Sequence, residues 1–161
     1  MKSKVIKYGD NISTDLIIAG KYTKTLNKQD LAIHAMEDLD SAFHEKSAER
    51  KIIAAGVYFG CGSSREQAPV ALKMSGVECI LAKDFSRIFY RNAINLGLCV
   101  AECNTDLIDD GDEIEYTVGE SLVHNITQNV EIPVGSMPDV MKNILAAGGV
   151  IAYMKNQSKE A

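Results

Sequence analysis

Two short apolar runs with a helical stretch between them set the strongest limit on how this chain can fold. Ile52-Ile53-Ala54-Ala55-Gly56-Val57-Tyr58-Phe59 reads as a buried strand, and Val77 to Ala82 as a second. Between them Ala68, Val70, Ala71, Leu72 and Met74 recur at mixed helical spacing until Gly76, a C-terminal stop signal. A second such unit follows directly. Lys83 to Ala93 reads as a helix that begins with an acid, Asn95-Leu96-Gly97 stops it, and Leu98 to Ala101 is the next strand. Consecutive strand–helix–strand units imply crossovers, hence an α/β chain with a parallel sheet.

The first crossover opens with Gly60-Cys61-Gly62-Ser63-Ser64-Arg65-Glu66-Gln67. Unpaired N–H groups at a helix start face the loop, and the helix dipole favours an anion there. Gly60 and Gly62 let the backbone turn tightly and approach a ligand. Ser63 and Ser64 add short donors or acceptors, and Arg65 offers a planar fork suited to a carboxylate. The pattern predicts a carboxylate site. A plainer reading is a capping box, Ser63 or Ser64 with Glu66 or Gln67. A cap alone does not call for two glycines, two serines and an arginine in succession, though both readings can hold together. Other loop motifs fail: Arg65 stands where the dinucleotide fingerprint needs its third glycine, no Gly-Lys-Ser/Thr is present, and Ser63-Ser64 after Gly62 breaks the hydrolase elbow.

The remaining sequence narrows the function classes. At 161 residues the chain is expected to be a single domain, residues 1–161, able to bury its own core. A net charge of −5 without a basic block argues against nucleic acid. No run is long and apolar enough for a membrane span, and the N-terminus lacks the apolar segment of a signal peptide, so a cytoplasmic location is expected. The cysteines at 61, 79, 99 and 103 form no Cys-x-x-Cys pair, and Cys79 and Cys99 sit in apolar runs as small hydrophobes. No metal ligand set is expected in this chain.

Lys4 to Tyr8 reads as an opening strand ended by the turn Gly9-Asp10-Asn11, and Gln29 to Arg50 as a polar helical stretch with Asn27 positioned to cap it. His34 and His44 read as ordinary helix residues. Arg87 and Arg91 lie one turn apart and either reach carboxylates of a partner or substrate or pair with surface acids, the structural role being the preferred reading of both. Asp109 to Asp112 reads as a solvated turn. Beyond it, Glu113 to Val118, Leu122 to Thr127 and Val130 to Val134 alternate as an antiparallel layer. Asp139 to Ala147 is a last helix between Pro138 and Gly148-Gly149, and 155–161 is a polar, frayed tail.

Gly60 to Ala68 resembles the signature of the swivelling domain of aconitase-like hydro-lyases. In length and in the order of its motifs, Tyr8 to Ile18, Gly60 to Ala68 and Phe85 to Leu98, the chain is similar to the small subunits of 3-isopropylmalate dehydratases. The resemblance covers nearly the whole sequence. It implies a β/β/α three-layer swivelling domain with a mostly parallel central sheet and an additional antiparallel layer.

By the same resemblance, the activity is dehydration and rehydration of a 2-hydroxy dicarboxylate, first of all 2-isopropylmalate/3-isopropylmalate in leucine biosynthesis. Homoaconitate, 2,3-dimethylmalate and citraconate/methylmalate hydro-lyases stay open as alternatives, as does a non-catalytic anion-binding regulatory module. Ser63 becomes the candidate base, Ser64 and Arg65 the substrate-binding pair, and Asp15 a residue that orients the site with Gly60 and Gly62. Tyr22, Thr23, Lys24 and Thr25 form the loop that reads the substrate's variable group. Thr23 replaces the family's usual leucine, and Lys24 either meets a carboxylate or points to solvent. A [4Fe-4S] cluster is expected on a separate large subunit and no cofactor on this chain, with homo-oligomerisation of the isolated chain left open.

Overall fold

A computed structural model describes residues 1–25 and 27–160. Among the described residues seven strands form one sheet: β1 (Lys2–Lys7), β2 (Ile52–Ala55), β3 (Cys79–Ala82), β4 (Cys99–Glu102), β5 (Glu113–Glu115), β6 (Leu122–Asn125) and β7 (Val130–Pro133), in the order β4-β3-β2-β1-β5-β6-β7. β1 to β4 pair in parallel, and β5 joins β1 antiparallel and continues through β6 to β7. The expected antiparallel layer is therefore continuous with the parallel sheet.

The period-2 geometry of the strands splits their side chains between two cores. Ile6, Ile53, Ala55, Ile80, Ala82 and Val100 face the helices α4 (Gln67–Met74) and α5 (Arg87–Leu96), where Ala68, Leu72, Phe89 and Ala93 pack. Val5, Ile52, Ala54, Leu81 and Ala101 point the other way and meet Ile114, Tyr116, Val123 and Ile132 of the antiparallel part. Burial on both faces is why β2 and β3 read as unbroken apolar runs, whereas β5 and β6 alternate. The sheet curls until its edges meet: Cys103 and Val134 form a single antiparallel bridge, and the Gly135 N–H donates to the Glu102 carbonyl at 2.9 Å.

Several expectations are corrected. The polar stretch from 29 to 50 is two helices, α2 (Lys28–Ile33) and α3 (Phe43–Glu49), separated by turns. The break falls at Met36, fully buried with φ +60°, whose N–H donates to the Ile17 carbonyl at 2.8 Å. Asp40 then accepts from Tyr8 and Lys46 and from the Ala42 N–H, which shapes the entry to α3. Asp112 is buried, not solvated: its carboxylate accepts from the Asp109 N–H, Asn125 and Gln128. After α6 (Asp139–Ala146) the tail is helical, α7 (Val150–Glu160), because Lys, Gln and Glu are good helix formers. Ala161 lies outside the described residues.

Candidate active site

β1 and β2 are parallel neighbours, so the chain leaves both at the same edge of the sheet, and the two departing segments run side by side. Tyr8 N–H donates to Ala54 O, Gly56 N–H to Gly9 O, Asn11 N–H to Val57 O, Gly60 N–H to Ile12 O and Thr14 N–H to Cys61 O, all between 2.7 and 2.9 Å. The zipper ends with Ser13 opposite Cys61. Gly60 (φ +77°) is confined by conformation and space alike, since a Cβ there would run into the Phe89 ring. Gly62 (φ +99°) then reverses the chain and presents Ser63.

Past the glycines, α1 (Thr14–Ile17), capped by Ser13, lies against the turn. The buried Thr14 places its Oγ1 3.1 Å from Ser63 Oγ. Asp15 forms an ion pair with Arg65, whose guanidinium also donates to the Ile18 carbonyl at 3.2 Å and lies against Gly20. Gln67 reaches the Thr23 carbonyl at 3.4 Å. The structure thus brings Asp15, Gly60, Gly62, Ser63, Arg65 and the start of the 20–25 loop together, with Ser63 and Ser64 exposed.

Two details differ from the sequence reading. α4 starts only at Gln67, and its N-cap residue Glu66 is already helical and makes no side-chain cap, so neither serine caps the helix and the capping box is not formed. Burial of Ala68, Pro69, Ala71 and Leu72 fixes that start. Arg65 is turned back onto Asp15 and Ile18, so part of its donor fork is already engaged. Thr23 and Thr25 direct their hydroxyls within the loop and its flank, to the Gly20 carbonyl and Asp30, while Lys24 is exposed.

Sequence reasoning missed three participants, Thr14, His34 and Glu37. Thr14 had no local signal, because its contact with Ser63 spans 49 residues. The Tyr22 ring lies on His34, which pairs with Glu37; the spacing of three between those two was the only available hint. The preferred sequence reading of Arg87 and Arg91, pairing with surface acids, is corrected. Among the described residues neither Arg87 nor Arg91 makes an ion pair, and both line a recess with Phe85, Tyr90, Glu102 and Met141.

The cysteines do not make a cluster site. Cys79 and Cys99 face each other across β3 and β4 in the dry core with sulfurs 3.3 Å apart, and the contact with Cys99, then burial, raises the Cys79 thiol. Burial pushes Cys103 up to about 12. Such thiols stay protonated, unlike iron–sulfur ligands. Among the described residues no three His, Cys, Asp or Glu side chains converge as metal ligands, and no helix is long and apolar enough to cross a membrane.

Residues 10–104 match the family described as the aconitase C-terminal domain. The 3-isopropylmalate dehydratase small subunit of Caldicellulosiruptor saccharolyticus is 47% identical over 99% of this chain and 93% of the relative. That of Halothermothrix orenii is 46% identical over 100% and 99%. A crystal structure of 3-isopropylmalate dehydratase from Methanocaldococcus jannaschii superposes with a TM-score of 0.93 at 43% identity, covering 99% of this chain and 98% of that one.

Proposed function

Because the chain belongs to the family of aconitase C-terminal domains that includes the 3-isopropylmalate dehydratase small subunits, we propose that it completes the active site of a hydro-lyase that interconverts 2- and 3-isopropylmalate, a step of leucine biosynthesis in the cytoplasm. The observation that carries this reading is the turn itself: an exposed Ser63 hydroxyl next to a buried Thr14 hydroxyl, one turn of chain from an arginine held by an aspartate.

The reaction removes a weakly acidic proton beside a carboxylate while a hydroxyl leaves from the neighbouring carbon. Serine is ordinarily far too weak a base for that step. The Thr14 hydroxyl 3.1 Å away can donate to the Ser63 oxygen and so favours its deprotonated form, as does the positive charge of Arg65 two residues along the turn. Thr14 steadies the deprotonated Ser63 oxygen, that oxygen takes the proton from the substrate carbon and becomes a hydroxyl, and Ser64 with the unengaged edge of Arg65 holds a substrate carboxylate. Asp15 orients Arg65. Tyr22, Thr23, Lys24 and Thr25 face the variable part of the substrate.

The cysteines of this chain do not fit a cluster, so the [4Fe-4S] group that supplies Lewis-acid help to the departing hydroxyl belongs, on this reading, to a large partner subunit. The test is a substrate panel assayed anaerobically with the reconstituted large subunit. 3-Isopropylmalate should be turned over with the highest kcat/KM, ahead of homoaconitate, 2,3-dimethylmalate and citraconate. Preference for another member would move the substrate assignment, and no turnover of any would leave an anion-binding module. In the same assay Lys24→Val should shift the preference between isopropyl-bearing and carboxyl-bearing substrates by roughly tenfold if the lysine faces the variable group.

A further inference from the structure

Tyr22 ends the short 3-10 turn Gly20–Tyr22, and its ring lies flat on the imidazole of His34, centroids 3.7 Å apart and planes within 4°. His34 Nδ1 is 2.6 Å from one Glu37 oxygen, and the other Glu37 oxygen is 3.9 Å from Lys21 Nζ. Lys21 Nζ in turn stands 4.8 Å from the Tyr22 ring centroid. Four side chains therefore close a cycle: Tyr22 on His34, His34 to Glu37, Glu37 to Lys21, Lys21 over Tyr22. Partial burial works to raise the Glu37 carboxyl, yet Tyr22, His34 and Lys21 hold it below the ordinary carboxylate range, as expected of a carboxylate kept charged by its partners.

The cycle is anchored to the site rather than to the surface alone. Between His34 and Glu37 stands Met36, buried in the left-handed conformation and bonded to the Ile17 carbonyl at 2.8 Å. The next carbonyl, that of Ile18, accepts from Arg65. The segment that grips Tyr22 and the arginine beside Ser63 thus hang from two consecutive residues at the C-terminal end of α1.

We infer that His34 and Glu37 are positioning residues, which hold the Tyr22 ring, and with it the Gly20–Thr25 loop, at a fixed distance from the Ser63–Arg65 turn. This rests on the functional reading above, in which that loop faces the variable group of the substrate. A half-exposed ion pair contributes little to global stability, whereas a small misplacement of a substrate-contacting loop is costly to binding.

The test uses the assembled two-subunit enzyme with 3-isopropylmalate. His34→Ala should raise KM about tenfold with kcat changed less than about threefold, and Glu37→Ala should raise KM about threefold. His34→Phe, which keeps the stack, should recover most of the loss. On the free chain, amide exchange at residues 20–25 should quicken in His34→Ala while the melting temperature stays put. A KM within about twofold of wild type for His34→Ala, or a Phe variant no better than the Ala variant, overturns the inference. If the wild-type pair does not turn over 3-isopropylmalate, the functional reading fails and the substrate-positioning role falls with it. Faster exchange in His34→Ala then still marks the clamp as real, so the two failures are told apart.

Discussion

The four parallel strands and the three antiparallel ones share one sheet and one inner core, yet the candidate site residues on strand ends all belong to the parallel half. Each parallel strand must be followed by a crossover, and every crossover leaves from the same edge of the sheet. β1 and β2 therefore deliver Thr14, Asp15, Ser63 and Arg65 to one place. The antiparallel half returns by tight turns that have room for little beyond their own hydrogen bonds. Its polar residues tie the turn before β5 to the β6–β7 hairpin, as Asp112, Asn125 and Gln128 do. Topology rather than composition decides which half can be a site.

Glycines give the sharpest contrast between the halves. Gly60 and Gly111 both have positive φ, +77° and +84°. A Cβ at Gly60 collides with Phe89, whereas one at Gly111 meets nothing within 4 Å. Gly60→Ala should cost about 3 kcal/mol or more in urea unfolding, from backbone strain plus overpacking. Gly111→Ala should cost only about 1 kcal/mol. Equal losses would erase the distinction between a constrained site turn and an open connecting turn.

Acid titration probes the two halves next. Burial works to raise the Asp112 carboxyl, but the Asp109 N–H, Asn125 and Gln128 bring it below the usual range. Asp40, in the helical half, is likewise lowered by Lys46 and Tyr8 against its own burial. A carboxyl lowered by folding adds stability that is fully present above its unfolded pKa, about 4, and is lost as pH falls through the folded value. Asp112→Ala should cost about 2 kcal/mol at neutral pH, because it strands the buried Asn125 amide, and should flatten the acid limb of the stability curve. An unchanged acid limb would remove Asp112 from the account.

The smallest effect concerns strain. Asn129 in the β6–β7 turn and Tyr58 before Gly60 have nearly the same φ, +55° and +60°. Asparagine tolerates that region and tyrosine does not. Tyr58 is held there by Asp84, while Asp10 accepts from the Val57 N–H at 2.8 Å. Tyr58→Asn should therefore stabilise the chain by roughly 1 kcal/mol in thermal unfolding. Destabilisation would mean that the exposed ring makes contacts worth more than the strain.

Local signals made much of this legible. The strands of the parallel half, the Gly60–Arg65 turn and the Gly97 stop of α5 follow from apolar runs and backbone chemistry within a few residues. What the sequence concealed is tertiary. The break at Met36 exists because its side chain is buried and its N–H meets Ile17. The start of α4 is set by the buried face of the helix, against a capping signature that pointed three residues earlier. Thr14 beside Ser63, and Cys103 beside Val134 at the closing edge, join segments far apart in the chain. Asp112 looked solvated because its partners, Asn125 and Gln128, come from the next hairpin.

Ser63 carries the chemistry most directly. Among the described residues its exposed hydroxyl has one partner, Thr14, and it does not cap α4, so its removal should hardly touch stability. In the assembled enzyme, Ser63→Ala should lower kcat for 3-isopropylmalate by about a thousandfold, while subunit association, substrate binding and melting temperature stay near wild type. A kcat close to wild type in that complex would contradict the assignment of Ser63 as the base and leave the turn a binding loop only.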